Sequence, residues 1–278
     1  MFKTSELLDL VSGKLLYLQV PRFISNDACR YVSKRILENE AVQPTSLTTG
    51  LTYEQLLKIA NVPIPEDDIQ YARGMSYYET KHESGTGWGK VKNEASHQAY
   101  YGLAPKSKSL TRQIFSPYGS PMDQFREELD KQWRAGSTTL DLGDGEMFFG
   151  LLRVLSNEVL AHEDKLERDH GPLPEHLGYV TQLASNIYLQ VPETGGDLRL
   201  WDRSLPDAEY DAMRGATYGI EHDVLGEPDA SVHPGMGDLI VFNARKLHGV
   251  GKSVGSKRIS LSSFIMYCGE DRPLSFWS

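Results

Sequence analysis

A short triplet, His162-Glu163-Asp164, places an imidazole and a carboxylate two positions apart. Residues two apart in an extended strand point to the same side, so His162 and Asp164 would face one space while Glu163 faces away. Two histidines and one carboxylate on one face of a metal suit non-haem Fe(II), because they leave other coordination positions open. With 8 His and 38 Asp plus Glu in 278 residues, such a pair also arises about once by chance. The triplet therefore indicates a metal site only if a third ligand is found elsewhere in the chain.

His248 is the strongest candidate for that ligand. It follows the apolar segment "GDLIVFN" after a short "ARKL". At such a position a side chain can point into the open end of a barrel, where ligands often bind. The six remaining histidines lie in polar or loop-like segments, which favours a surface role for each. They are His82, His97, His170, His176, His222 and His233. We therefore predict a metal site formed by His162, Asp164 and His248.

A candidate anion receptor follows ten residues after His248. Arg258 opens the strand-like segment "RISLSSFIMY", and Ser260 shares its face. An arginine fork with a nearby hydroxyl can bind a carboxylate bidentately, and the glycine-rich "GVGKSVGSK" allows the chain to turn between His248 and Arg258. The alternative for Arg258 is a surface arginine on a strand. Arg153 is a further candidate to point inward towards a carboxylate.

The first 140 residues favour helices. In "ISNDACRYVSKRILENE", Ser25 or Asn26 can cap a helix. In "GSPMDQFREELDKQWRAG", Ser120 is the predicted N-cap, Pro121 the first helical residue, and Gly136 the stop. Four residues of the second segment form one apolar stripe typical of a helix packed on a core: Met122, Phe125, Leu129 and Trp133.

Short strands separated by turn residues are predicted from about residue 145. The segments are "MFFGLLRVL", "YVTQLASNIYLQV", "GDLRLWD", "GDLIVFN" and "RISLSSFIMY". This pattern indicates a sandwich or barrel, so the predicted class is α+β. We expect a single domain over 1–278, with a mainly helical part at 1–144 and a β core at 145–278. The Gly-rich segment 81–102 is a candidate substrate lid, although an ordinary surface loop explains it equally well.

Composition narrows the class of partner. A formal charge of -9 argues against non-specific nucleic-acid binding, and no apolar run approaches the length of a membrane span. The N-terminal segment lacks a signal-peptide core, and 2 cysteines are too few for a disulfide framework. We expect a cytoplasmic protein whose partner is a small molecule, with a homodimer left open.

Several of these motifs resemble a known family. "HED", "GDLIVFNARKLH" and "KRIS" resemble the iron and 2-oxoglutarate binding pattern of the Fe(II)/2-oxoglutarate-dependent oxygenases. "ASNIYLQVPETGGDLRLWDR" and "LSSFIMYCGEDRPLSFWS" resemble a bacterial subgroup of carrier-independent hydroxylases and halogenases of amino acids, alkaloids and nucleotides. The resemblance covers roughly residues 145 to 278. It implies a double-stranded β-helix, or cupin-like jelly roll, wrapped by N-terminal helices.

The resemblance also implies cofactors and roles. It implies Fe(II) held by His162, Asp164 and His248, with O2 as oxidant and 2-oxoglutarate as co-substrate. Arg258 would pair with the far carboxylate of 2-oxoglutarate, and Ser260 would assist it. Halogenating members carry Gly or Ala where Asp164 stands, so hydroxylation of an unactivated C–H bond is favoured over halogenation, with desaturation as another outcome.

The substrate class stays open at this point. A free or N-substituted amino acid is the preferred class, and an alkaloid or nucleotide is the alternative. Two readings from other classes also stand beside the oxygenase. One is a non-catalytic jelly-roll binding protein, and the other is a hydrolase or isomerase that uses Zn in the same ligands.

Overall fold

The computed structural model describes residues 2–40, 71–73, 76–78, 94–215 and 217–278. Within these residues the helices, numbered in chain order, are α1 Thr4–Val11, α2 Asn26–Glu40, α3 Glu94–Phe115, α4 Pro121–Gln132, α5 Leu166–His170, α6 Asp207–Arg214 and α7 His222–Leu225. One 3-10 turn spans Glu175–Leu177. In the part of the chain that the structure describes, no helix is long and apolar enough to span a membrane.

The strands form two main sheets. They are β1 Tyr17–Val20, β2 Tyr71–Arg73, β3 Ser137–Thr139, β4 Leu151–Leu155, β5 Val159–His162, β6 Thr181–Gln190, β7 Thr194–Gly195, β8 Leu198–Leu200, β9 Ala230–Val232, β10 Leu239–Asn243, β11 His248–Val250, β12 Ser253–Val254, β13 Arg258–Tyr267 and β14 Leu274–Trp277. An eight-stranded sheet runs β1-β10-β6-β13-β14-β3, with β4 and β2 added beside β13. A four-stranded sheet runs β5-β11-β8-β9, and β12 pairs with β7.

Alternation along the strands gives each sheet an inner and an outer face. In β6, Leu183 and Ile187 pack in a cluster with the N-terminal helices, whereas Ala184 and Tyr188 pack in a second cluster that also contains Leu198 and other residues of the smaller sheet. Successive strand residues point to opposite faces, which explains this division. The second cluster therefore lies between the two sheets, and the predicted double-stranded β-helix wrapped by N-terminal helices is confirmed.

The helix α4 forms as its sequence predicts. The Ser120 hydroxyl accepts the N–H of Asp123 at 3.3 Å, and Pro121 is the first helical residue. The helix ends at Gln132, four residues before Gly136. The predicted apolar stripe is buried against the outer face of the large sheet: Met122, Phe125, Leu129 and Trp133.

The predicted lid segment divides into two parts. Residues 81–93 lie outside the described residues, so the lid stays a prediction. Residues 94–102 begin α3 rather than continue a loop. Tyr100 is 1% exposed, and its hydroxyl donates to the Ser278 carbonyl at 2.7 Å. That contact holds this part of the segment against the core, so the prediction of a loop up to residue 102 was wrong.

Candidate active site

Three predicted ligands meet at one end of the smaller sheet. β5 and β11 are antiparallel neighbours in which His162 and His248 lie opposite each other, with ring centroids 4.3 Å apart. Asp164 follows β5, and its N–H donates to the Ala244 carbonyl at 2.8 Å. Its Oδ2 lies 3.2 Å from His248 Nε2 and 3.8 Å from His162 Nε2. Main-chain bonds thus bring two imidazoles and one carboxylate to a common point.

The two imidazoles are held in the same tautomer. Nδ1 of His162 lies 2.8 Å from the Leu160 carbonyl, and Nδ1 of His248 lies 2.9 Å from the Lys246 carbonyl. A carbonyl oxygen only accepts, so each Nδ1 must donate its proton. Nε2 of each ring is therefore the nitrogen left for a metal, and it is the atom that faces Asp164. Such an outer hydrogen bond is what orients histidine ligands in metal sites.

The charges of these groups also suit a divalent cation. Burial, together with the neighbouring His248 ring, lowers the pKa of His162 to about 4, so this imidazole is neutral at neutral pH. Burial opposes ionisation of Asp164, but the two histidines outweigh it and lower the pKa of this carboxyl group. Metal binding requires a deprotonated ligand set. The site already has neutral His162 and a carboxylate.

Arg258 is buried inside the jelly roll. The residue is 5% exposed, and within the described residues its Nε and Nη1 atoms have no hydrogen-bond partner. Burial lowers the pKa of its guanidinium group, and the Tyr188 ring lies 5.9 Å away. A buried cation with unfilled donors is costly. An anionic ligand would offset this cost, and a role of Arg258 in binding one stays a prediction.

The two other predicted anion-binding residues lie on neighbouring strands. Ser260 is opposite Arg153 of β4 and opposite Tyr188 of β6. The Ser260 hydroxyl is buried without a hydrogen-bond partner among the described residues, but Ser260 does not line the cavity, whereas Arg153 and Arg258 do. A role for Ser260 or Arg153 in anion binding stays a prediction.

A cavity of about 450 Å³ joins the ligand triad to Arg258. This volume is in the usual range for small-molecule sites. One wall is charged and is formed by Arg168, Asp207, Tyr210, Asp211 and Arg214. Other lining residues are apolar or carry a hydroxyl, namely Ser76, Tyr78, Leu151, Ala184, Phe242, Ser262, Phe264 and Ser278. The cavity can therefore hold a molecule with both polar and apolar groups.

The segment "DRSLPDAEYDAMRG", which follows Trp201, was predicted as a second rim segment of the site, but the sequence did not identify the residues of it that line the cavity. Four residues of the charged wall belong to α6, and their spacing of three, four and seven positions places them on one helix face: Asp207, Tyr210, Asp211 and Arg214. That spacing was a usable signal. A polar helix face normally points to solvent, so the spacing alone does not show that this one lines a cavity.

Two histidines predicted for the surface are buried instead. His97 is 5% exposed and lies 3.4 Å from Asp144. His222 is 7% exposed; its Nε2 donates to the Val159 carbonyl at 3.0 Å, and its Nδ1 lies 2.8 Å from Glu158. Each buried imidazole has polar partners that offset the loss of water. These tertiary contacts are why the local composition misled the prediction.

The sequence of this chain is similar to those of several known proteins. Residues 148–278 match the family model described as carrier-protein-independent halogenase WelO5. The chain is 28% identical over 147 residues to an L-gamma-glutamyl-L-propargylglycine hydroxylase of Streptantibioticus cattleyicolor, covering 52% of this chain and 54% of the relative. It is 29% identical over 133 residues to an L-isoleucine 3(1)-dioxygenase of Pantoea ananatis, covering 46% and 43%. The match thus spans about half the length of these curated relatives.

Solved structures extend the likeness to the whole chain. A structure of an N-substituted L-amino acid dioxygenase from Burkholderia ambifaria has a TM-score of 0.62 at 15% identity, covering 99% of this chain and 91% of that protein. A second structure of that enzyme, in complex with alpha-ketoglutarate, has a TM-score of 0.59 at 15% identity, covering 99% and 90%. The predicted resemblance to the Fe(II)/2-oxoglutarate-dependent oxygenases is confirmed. At this identity the structures show the shared oxygenase fold, and the roles of the site residues rest on the geometry given above.

Proposed function

We propose that this protein is an Fe(II)/2-oxoglutarate-dependent hydroxylase of a small molecule. The substrate class that the cavity and the relatives support best is a free or N-substituted amino acid. The observation that carries the proposal is the pairing of two features in one cavity. One is the convergent triad of His162, Asp164 and His248. The other is the buried guanidinium of Arg258, whose Nε and Nη1 have no hydrogen-bond partner among the described residues. A metal and a dianionic co-substrate together satisfy both features.

The residues present fit this pair of groups. The three ligand atoms lie within 4.8 Å of one another, and two imidazole nitrogens with one carboxylate are the donor set of non-haem Fe(II) oxygenases. His162, Asp164 and His248 would hold the metal, and Arg258 would bind the far carboxylate of 2-oxoglutarate. When bound, Fe(II), 2-oxoglutarate and O2 would supply the oxidising chemistry that breaks a C–H bond, with succinate as co-product.

Asp164 favours hydroxylation over halogenation. The matching family model is described by a halogenase, and the resemblance implies Gly or Ala at the carboxylate position of halogenating members. This chain keeps a carboxylate there, which would occupy the coordination position that a halide needs. Halogenation is therefore the second candidate, and it applies to the same cavity and cofactors.

The cavity supports a substrate with charged and apolar parts. Arg168 and Arg214 lie over the Tyr210 ring at 4.5 Å and 5.7 Å, and Asp207 and Asp211 pair with them. An amino acid offers a carboxylate and an ammonium to such mixed charges, and its side chain suits apolar surface. The relatives named for amino-acid chemistry support this class.

A Zn-dependent hydrolase is disfavoured by the position of Glu163. A hydrolase of this kind needs a general base within reach of the metal-bound water. The Glu163 side chain is 0% exposed and binds Lys165 and Arg168 at 2.7 Å and 2.9 Å. Its carboxylate is therefore committed to other partners.

An anaerobic titration tests the proposal. Fe(II) and 2-oxoglutarate added together should give a weak metal-to-ligand charge-transfer band with the wild-type protein, and Arg258→Met should need far more 2-oxoglutarate to reach it. Succinate formation would then be screened with L-isoleucine, other free amino acids, γ-glutamyl amino acids and N-substituted amino acids. A binding protein without catalysis would give neither the band nor substrate-dependent succinate.

A further inference from the structure

Glu163, between two of the proposed metal ligands, has the most completely bonded buried carboxylate at the site. Its side chain is 0% exposed. Oε1 accepts the Leu205 N–H at 2.6 Å, and Oε2 accepts from Lys165 Nζ at 2.7 Å and from Arg168 Nη2 at 2.9 Å. Three charge-assisted donors on one buried carboxylate make a strong local attachment. Breaking it would leave two cationic side chains without their buried partner.

These bonds attach the chain segment that leads into α6. Leu205 precedes Pro206, the residue at the N-cap of α6. Both polar groups of the Leu205 backbone are held, because its N–H donates to Glu163 and its carbonyl accepts from Lys165 Nζ at 3.1 Å. Arg168 continues the attachment into the helix by donating to Asp207 Oδ1 through Nη2 at 2.6 Å. Glu163 therefore lies at the centre of an ion cluster that joins the ligand strand to α6.

The metal ligands do not need this cluster for their own positions. His162 and His248 are fixed by the pairing of β5 with β11 and by the carbonyls that accept from each Nδ1. Asp164 is fixed by its N–H bond to Ala244. All of these are main-chain attachments or bonds to main-chain oxygens. Loss of the Glu163 charge should therefore leave the ligand triad in place and release α6.

We propose that Glu163 is a positioning residue that holds α6, the charged wall of the cavity, at a fixed place relative to the metal ligands. Through α6 it sets where a substrate lies with respect to the reacting centre. The inference deepens the proposed function and rests on it for the substrate, but its structural part concerns only Glu163 and α6. A substrate held by a displaced wall would be oxidised less often for each 2-oxoglutarate consumed.

Hydrogen exchange on the metal-free chain tests the structural part. Glu163→Gln keeps the shape of the side chain and removes its charge. Amides of residues 207–214 should then exchange about tenfold faster or more, since charge-assisted bonds that hold the helix are lost. Amides of β5 and β11 should keep their wild-type rates. Unchanged exchange in α6 would overturn the proposal.

A matched control separates this effect from general destabilisation. Asp123 accepts from Arg112 Nε and Nη2 at 2.7 Å and 3.0 Å, and neither residue lines the cavity. Asp123→Asn removes an acid–arginine pair that lies away from the cavity and should leave exchange in α6 unchanged. If Glu163→Gln does not fold, Asp207→Asn weakens the same cluster at an exposed acid, and a smaller increase confined to α6 is expected. No increase in α6 for Asp207→Asn would then count against the proposal.

Two binding measurements complete the test. Co(II) affinity of Glu163→Gln should stay within about threefold of wild type, because the ligand frame is held by other bonds. A larger loss would show that Glu163 positions the ligands instead of α6. With the amino acid that gives substrate-dependent succinate, the ratio of oxidised product to succinate should fall at least threefold in Glu163→Gln and stay unchanged in Asp123→Asn. Absence of the Fe(II)–2-oxoglutarate band in the wild type would contradict the proposed function and leave the exchange result standing.

Discussion

Replacing Arg258 with methionine should raise the stability of the protein without 2-oxoglutarate and reduce the stabilisation that 2-oxoglutarate gives. In the free protein the guanidinium is buried, and its Nε and Nη1 have no hydrogen-bond partner among the described residues. Burial lowers its pKa, which shows that the charged form is disfavoured there. Methionine fills a similar volume without a charge. The substitution therefore removes a cost from the free protein and a binding contact from the complex.

The two magnitudes can be estimated separately. Replacing a buried ion with an apolar side chain of similar size often stabilises by about 1–4 kcal/mol, so without 2-oxoglutarate the variant should be more stable than wild type. Truncating one partner of a buried charge pair costs about 2–5 kcal/mol of binding, which is roughly a 30- to 4,000-fold loss of 2-oxoglutarate affinity. At a hundred times the wild-type Kd, the co-substrate should stabilise wild type by about 2.7 kcal/mol and the variant by about 0.9 kcal/mol or less.

Chemical denaturation with and without 2-oxoglutarate measures both effects, in the presence of a divalent metal and in low-chloride buffer. Co(II) binding serves as the control, since the ligand triad does not include Arg258 and its affinity should be unchanged. Arg258→Lys keeps the charge but loses the planar fork, so it should lose affinity without the gain in stability. Equal stabilisation of wild type and Arg258→Met by 2-oxoglutarate would refute the assignment, and Arg153 would become the next candidate.

Three other changes test the site and its frame. Asp164→Gly should lose nearly all hydroxylation while keeping weakened Fe(II) and 2-oxoglutarate binding, and mass spectrometry in high chloride would detect any trace of halogenated product; full hydroxylation would contradict its role as a ligand. His248→Ala should weaken Co(II) binding more than about 100-fold by calorimetry, since loss of a ligand exceeds the cost of losing its outer partner. Burial opposes ionisation of Asp123, but its bonds to Arg112 outweigh it and lower the pKa. Its stabilising effect is therefore present above the ordinary Asp pKa and lost as pH falls through the lower folded value, so the unfolding free energy of Asp123→Asn should depend less on pH in that acidic range.

The features that could be predicted from the sequence are those that depend on strand alternation and helix capping. Strand alternation predicted that His162 and Asp164 share one side, and their ligand atoms do converge. The segment "RISLSSFIMY" coincides with β13 from Arg258 to Tyr267. Capping by Ser120 predicted the start of α4. Each of these depends on residues within a few positions of one another.

The features that the sequence did not predict depend on distant contacts. The burial of His222 comes from partners on the strand before His162, more than 60 positions away. The inward face of α6 is charged, and a charged helix face is normally solvated. Only the cluster around Glu163 shows why this face is turned to the cavity. Pairings of this kind have no local signature in a single sequence.

The two parts of the site are held by different kinds of bond, and substitutions affect these bonds to different degrees. The ligand triad is held by strand pairing and by bonds to main-chain carbonyls, and many side-chain combinations can preserve such bonds. The charged wall is held by four ionic side chains, so a single substitution can move it. A change in the wall would alter which molecule is oxidised, while the metal site would remain as it is. We expect substrate choice to vary through α6 and the Glu163 cluster, and the oxidising centre to stay constant.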